Sequence, residues 1–164
     1  MIWAQVEVKC TPAEVVERIY REFGVESYGV GKHELRAPFK KLGLPAVGSL
    51  SRTALVALGE SEARAGDGAT MIPIQWCDLE SDVFPVFRGA IEVTILDRRL
   101  VQVAIIGSYE PTLWPLGAMF DAALGKTIAR ASVDQLLSCI RASIENTPSR
   151  PADARLQKSH LAGP

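Results

Sequence analysis

Charge of one sign, clustered cysteine or histidine, and long apolar runs are all scarce in this chain of 164 residues. Lysine and arginine number 18 against 19 aspartate and glutamate, for a formal net charge of -1. No overall positive field exists to hold a polyphosphate, and "APFKKLG" offers only a pair of lysines, so nucleic acid is not an expected partner. Cys10, Cys77 and Cys139 are odd in number and far apart, which excludes a CxxC pair and a disulfide framework. With only His33 and His160, a zinc site would need an unusual ligand set. Buried free thiols are therefore expected, with no metal and no cofactor. No segment has the roughly 20 uninterrupted apolar residues of a membrane span. The start, "MIWAQVEVKC", lacks the charged lead and apolar core of a secretory signal, so a cytoplasmic location is expected.

What is present is an ordinary globular composition, 48% apolar and 23% charged, at a length suited to one domain. Ile2, Ala4, Val6, Val8 and Cys10 alternate with Trp3, Gln5, Glu7 and Lys9, the pattern of a half-buried strand. "TPAE" then provides Thr11 as N-cap, Pro12 at the first helical position and Glu14 to reach back, a capping box. Val15, Val16, Ile19, Tyr20 and Phe23 follow at helical spacing, and Gly24 marks the stop. Within residues 25–49, "ESYGVGKHELRAPF" reads as one strand or two short ones. From Leu50, "LSRTALVALGE" and "ATMIPIQWCDL" form a hairpin around the polar turn "SEARAGDG". "FPVFRGAIEVTIL" places Phe87, Gly89, Ile91, Val93 and Ile95 on one face, and "DRR" turns it into "LVQVAIIGSYE". Short polar connections between successive strands imply an antiparallel meander.

A helix or kinked pair is expected from about Pro115 to Asn146, ending before Pro148. Its apolar stripe moves, from Phe120, Ala123, Leu124, Thr127 and Ala131 to Val133, Leu137, Ile140 and Ile144. Such a shift implies a change of packing surface or a bend near Gly125. The tail 147–164 is polar and broken by proline, leaving residues 1–146 as the domain. The class is α+β, with the long helix covering the apolar face of a twisted antiparallel sheet.

The strands "FPVFRGAIEVTIL" and "LVQVAIIGSYEP", followed by "PLGAMFDAALGKTIARASVDQLLSCI", resemble the START-like or SRPBCC helix-grip superfamily, which includes Bet v 1 proteins, polyketide cyclases and lipid-transfer domains. The likeness covers most of residues 1–146. It extends to bacterial members with a pattern falling here on Gly107, Tyr109, Pro111, Gly117 and Asp121. Thr112, where a second proline is usual, and Trp114, where a small residue is usual, depart from it. The resemblance implies a hydrophobic cavity between sheet and terminal helix, used by most members to bind an apolar ligand and by a minority for cyclisation or dehydration. Fold does not decide between these.

The residues expected around that cavity are Arg52, Ile74, Trp76, Phe87, Ile91, Tyr109, Trp114, Met119, Phe120 and Leu124, with Trp114 as a candidate lid. None is assigned a catalytic role, because the assignable inward faces are almost wholly apolar. Arg52 shares parity with Ala54, Val56 and Leu58; it meets a ligand anion, forms an ion pair at the sheet rim, or sits where a bulge shifts the parity. The Tyr109 hydroxyl suits a backbone group or a ligand oxygen. Asp121 complements the helix dipole. His33, among charged neighbours, is expected on the solvated surface without a role. Gly29 and Gly31 lack the rest of a dinucleotide fingerprint, and "ALGKT" lies within a helix, so neither carries phosphate chemistry. The expected partner is a small hydrophobic molecule. An enzyme with Tyr109 and Arg52 orienting a substrate oxygen is the first alternative. An interaction module, with Val133, Leu137, Ile140 and Ile144 facing a partner or a homodimer, is the second.

Overall fold

The chain opens with the strand and helix that its alternation and capping residues dictate. In a computed structural model, which describes residues 1–25, 28–38, 49–78, 86–110 and 118–146, with the side chains of residues 37, 38, 49, 50, 52, 78 and 118–124 outside the description, β1 spans Ile2–Val8 and α1 spans Pro12–Glu22. Ile2, Ala4 and Val8 are buried, while Trp3 is exposed. The capping box forms as expected: the Glu14 N–H donates to Thr11 Oγ1 at 3.4 Å, and the Thr11 N–H donates to Glu14 Oε2 at 3.1 Å. The Thr11 hydroxyl also donates to Glu14 Oε2 at 2.7 Å; this bond first, then the Thr11 N–H and the Cys10 thiol donating at 3.2 Å, hold the Glu14 carboxyl down to about 2. At the far end Phe23 is the C-cap, and Gly24 takes φ 70°, where glycine costs least.

A single sheet follows, comprising β2 (Gly29–Pro38), β3 (Ser49–Leu58), β4 (Glu62–Ala63), β5 (Thr70–Asp78), β6 (Val86–Asp97) and β7 (Leu100–Glu110). Its order is β1-β7-β6-β5-β3-β2, all antiparallel, with the short β4 added on β5. Residues 29–38 thus make one strand, not two. The "SEARAGDG" turn is more structured than a plain loop, since Glu62 and Ala63 pair with Met71 and Thr70. Ile72, Ile74, Trp76, Phe87, Ile91, Val93, Val101, Val103 and Ile105 are all buried, as the alternation predicts. Ile95 departs from it. Expected inward with Val93, it is 54% exposed, where the register slips between Ile95 and Asp97 at the end of the strand.

The long helix α2, Ala118–Glu145, is continuous, and it packs against both edge strands, β1 and β2, as well as α1. The sheet therefore wraps around the helix. The shifted stripe reflects this change of surface, since Ile128, Ala129, Ala131, Val133, Leu136, Leu137, Ile140 and Ile144 are all buried. Two expectations are corrected here. Val133, Leu137, Ile140 and Ile144 are covered within one chain, so these four residues present no apolar face to a partner. Of the three thiols only Cys10 is buried, while Cys77 and Cys139 are half-buried and all three are free.

Arg18 locks α1 to the end of α2. The residue is 8% exposed, and its Nη1 donates to the carbonyls of Ser143 at 2.9 Å and Ile144 at 3.0 Å. Those are acceptors that a helix end leaves open, at the pole where a cation is favoured. Among the described residues no helix is long and apolar enough to cross a membrane. The Pro115 start and the tail 147–164 lie outside the described residues.

Candidate functional site

Residues directly opposite one another in an antiparallel ladder share a face. The register aligns Gly31, Val56, Trp76, Phe87 and Tyr109 in one row across five strands. Alternate residues along the same strands put Ile74 and Ile91 on that face too. Five of the sequence-predicted residues are thereby brought together: Ile74, Trp76, Phe87 and Ile91 are buried, and Tyr109 is half-buried against the core. Trp76 and Phe87 stack, with ring centroids 4.0 Å apart and planes 11° from parallel.

Two glycines shape the row. A Cβ at Gly89 would lie 2.1 Å from the Ile106 carbonyl oxygen, and one at Gly107 would lie 2.4 Å from that of Arg88 and 2.5 Å from Phe87 Cζ. Gly89 and Gly107 face each other across β6 and β7, so the two strands close up there and the Phe87 ring rests over Gly107. The sequence resemblance had pointed to Gly107; the packing supplies its physical reason.

The distinctive feature is a polar atom. Trp76 is 1% exposed, and its Nε1 is buried with no hydrogen-bond partner among the described residues. Leaving such a donor unpaired costs on the order of 1–3 kcal/mol, so a buried tryptophan is ordinarily given an acceptor. A ligand oxygen arriving at this row would meet that donor.

Arg52 lies on β3 opposite Leu35 in an unbroken register from Gly29–Leu58 to Pro38–Ser49, which removes the bulge as an explanation of its parity. Its side chain is outside the described ones, as are those of Met119, Phe120, Asp121 and Leu124 in the first turns of α2. Trp114 lies wholly outside the described residues. An open groove of about 740 Å³ lies elsewhere, between α1 and the β3–β4 connection, bordered by Val16, Tyr20, Tyr28, Glu60, Ser61 and Thr70. No sequence-predicted residue borders that groove, and Tyr20 already donates to the Gly59 carbonyl at 2.8 Å. The unpartnered donor favours the aromatic row.

One group of residues was missed by the sequence reading. His33 is not on the solvated surface: it is half-buried, its Nε2 is buried without a partner among the described residues, and burial pushes its imidazole down. The Phe23 ring lies 5.2 Å from it at 53°. Burial, reinforced by the nearby Glu22 carboxylate, pushes the Cys139 thiol up, the opposite of what a nucleophilic cysteine needs. Only the meeting of an edge-strand histidine with residues of two helices reveals this group, and no local spacing signals it.

The fold and the row together define an α+β helix-grip protein, the arrangement that the START-like resemblance implies. No family model and no curated protein matches the sequence. Among solved structures the chain is similar to the human StarD13 (DLC2) lipid transfer and protein localization domain, at 12% identity and a TM-score of 0.47, over 88% of this chain and 77% of that one. It is also similar to TTHA0849 from Thermus thermophilus, at 14% identity and a TM-score of 0.46, over 88% of this chain and 96% of that one. Both are likenesses of fold.

Proposed function

We propose that the protein binds or carries, in the cytoplasm, a small hydrophobic molecule that bears a hydrogen-bond acceptor. The ligand lies between the sheet and the first half of α2, with Ile74, Trp76, Phe87, Ile91 and Tyr109 on the sheet side. Arg52, Met119, Phe120 and Leu124 complete the site, and Trp114 acts as its lid. The Trp76 N–H, buried with no partner among the described residues, is the observation that carries this reading. Carriage is preferred to cyclase or dehydratase chemistry because Tyr109 is the one ionisable side chain in the row Gly31, Val56, Trp76, Phe87 and Tyr109. Acid–base turnover needs a positioned proton donor or acceptor of matched strength.

Native mass spectrometry with fatty acid, phospholipid, isoprenoid and aromatic polyketide-like probes tests the proposal. At least one class is expected to bind at one equivalent. Trp76→Phe, which keeps a stacking ring and removes the donor, is expected to weaken that probe several-fold, the ~1 kcal/mol of one hydrogen bond. Absence of binding by every class, or unchanged affinity in Trp76→Phe, would overturn it.

A further inference from the structure

Glu22, His33 and Cys139 come from three different elements, yet one donor atom of each lies within 4.8 Å of the other two. We propose that this junction is a zinc site, with a carboxylate oxygen, an imidazole nitrogen and a thiolate as its protein ligands and water in the fourth position.

The fold builds the junction from ties placed one helical turn before each helical donor. Arg18 anchors α1 to the end of α2, and Glu22 follows four residues later on the same face. Gln135 clips α2 to the free edge of β2: its Oε1 accepts from the Arg36 N–H at 2.6 Å and its Nε2 donates to the Glu34 carbonyl at 3.0 Å. Cys139 again follows four residues later. The third donor depends on glycine. A Cβ at Gly31 would fall 1.8 Å from the Phe23 carbonyl oxygen, so glycine alone lets β2 cross the end of α1 this closely. His33, two residues along and on the same face, is thereby delivered between the two helices. The donors are held together by the protein itself, before any ion arrives.

The donor set selects the ion. Thiolate, imidazole and carboxylate suit zinc, whereas calcium and magnesium prefer all-oxygen shells. Bonds of about 2.0–2.3 Å would bring the donors to roughly 3.3–3.8 Å apart. Three half-buried side chains reach that by small rotations. One thiolate and one carboxylate neutralise a dication, so the half-buried site carries no net charge to desolvate. Gln135 Nε2 also lies 3.9 Å from Cys139 Sγ, placed to support the thiolate from outside the ligand shell. The imidazole has a nitrogen to spare, since His33 Nε2 is buried and unpaired among the described residues. The ion would brace the edge strand β2 against both helices.

Chelator-treated, reduced full-length protein titrated with cobalt(II) tests this. The expected result is one equivalent bound, a near-ultraviolet thiolate-to-cobalt band and tetrahedral visible bands, all displaced by zinc. Cys139→Ser should lose the thiolate band, and Glu22→Gln and His33→Gln should each weaken binding at least about tenfold. Cys10→Ser, Cys77→Ser and His160→Ala should change none of it. Absence of the band from the parent protein, or its survival in Cys139→Ser, would overturn the proposal. X-ray absorption of the zinc-loaded parent protein, which needs no variant, should show one sulfur among nitrogen and oxygen ligands. A shell without sulfur would equally overturn it.

Discussion

The central strands and the edge strand use the same inner face of the sheet in opposite ways. On β5, β6 and β7, Trp76, Phe87 and Tyr109 are aligned by the ladder itself, and their neighbours are apolar. At β2 the ladder ends, and His33 meets Glu22 and Cys139 from two helices. The first arrangement needs only correct register. The second needs three elements to be held at one point by Arg18, Gln135 and Gly31. Apolar sites can therefore grow wherever alternation is regular, whereas a cluster of unlike polar donors must be constructed where separate elements meet.

The sharpest way to separate the two regions is to damage one alone. Phe87→Ala removes a fully buried ring that stacks on Trp76 and covers Gly107. It is expected to cost about 3–5 kcal/mol in chemical denaturation, with cobalt affinity at the junction unchanged. Gly31→Ala does the reverse. Its methyl meets a backbone oxygen rather than a yielding side chain, so a loss of about 1–3 kcal/mol is expected. Cobalt affinity should fall with it, while the near-ultraviolet circular dichroism of the Trp76–Phe87 stack persists. If both regions failed together in either variant, they would be one cooperative unit and not two sites.

The smallest effect is at the start of α1, remote from both. Thr11→Ala should cost about 1 kcal/mol through loss of the cap. The pH dependence has a definite sign. The Glu14 carboxyl is held below its ordinary value of 4.5, at about 2, by the Thr11 hydroxyl and backbone N–H and by Cys10. Its contribution is complete above the ordinary carboxylate range and is lost as pH falls through about 2. The stability gap between the parent protein and Thr11→Ala should accordingly narrow on acidification, in denaturation curves taken from neutral pH downwards. A gap independent of pH would assign the effect to helix propensity alone.

Much of this molecule is written in local pattern. The capping residues Thr11 and Glu14, the alternation of Ile72, Ile74 and Trp76, and the parity joining Phe87 to Ile91 all declared themselves, because periods of 2 and 3.6 are properties of neighbouring residues. Ile95 broke its pattern because register slips at a strand end, which alternation does not encode. The stripe Val133 to Ile144 suggested an outward face, but its cover is the sheet and α1, whose positions depend on how far the sheet curls. His33 looked solvated because its sequence neighbours are charged; its spatial neighbours are Phe23 and Cys139.

The sequence by itself determined the order of elements, their caps, their buried faces and the apolar character of the central row. Tertiary structure alone decided that α2 is gripped by both edge strands, that the Trp76 N–H is left without a partner among the described residues, and that Glu22, His33 and Cys139 meet. Side-chain periodicity follows from backbone geometry within a few residues. Convergence of distant residues follows from close approaches such as Gly31 against Phe23, which exist only once the chain is folded.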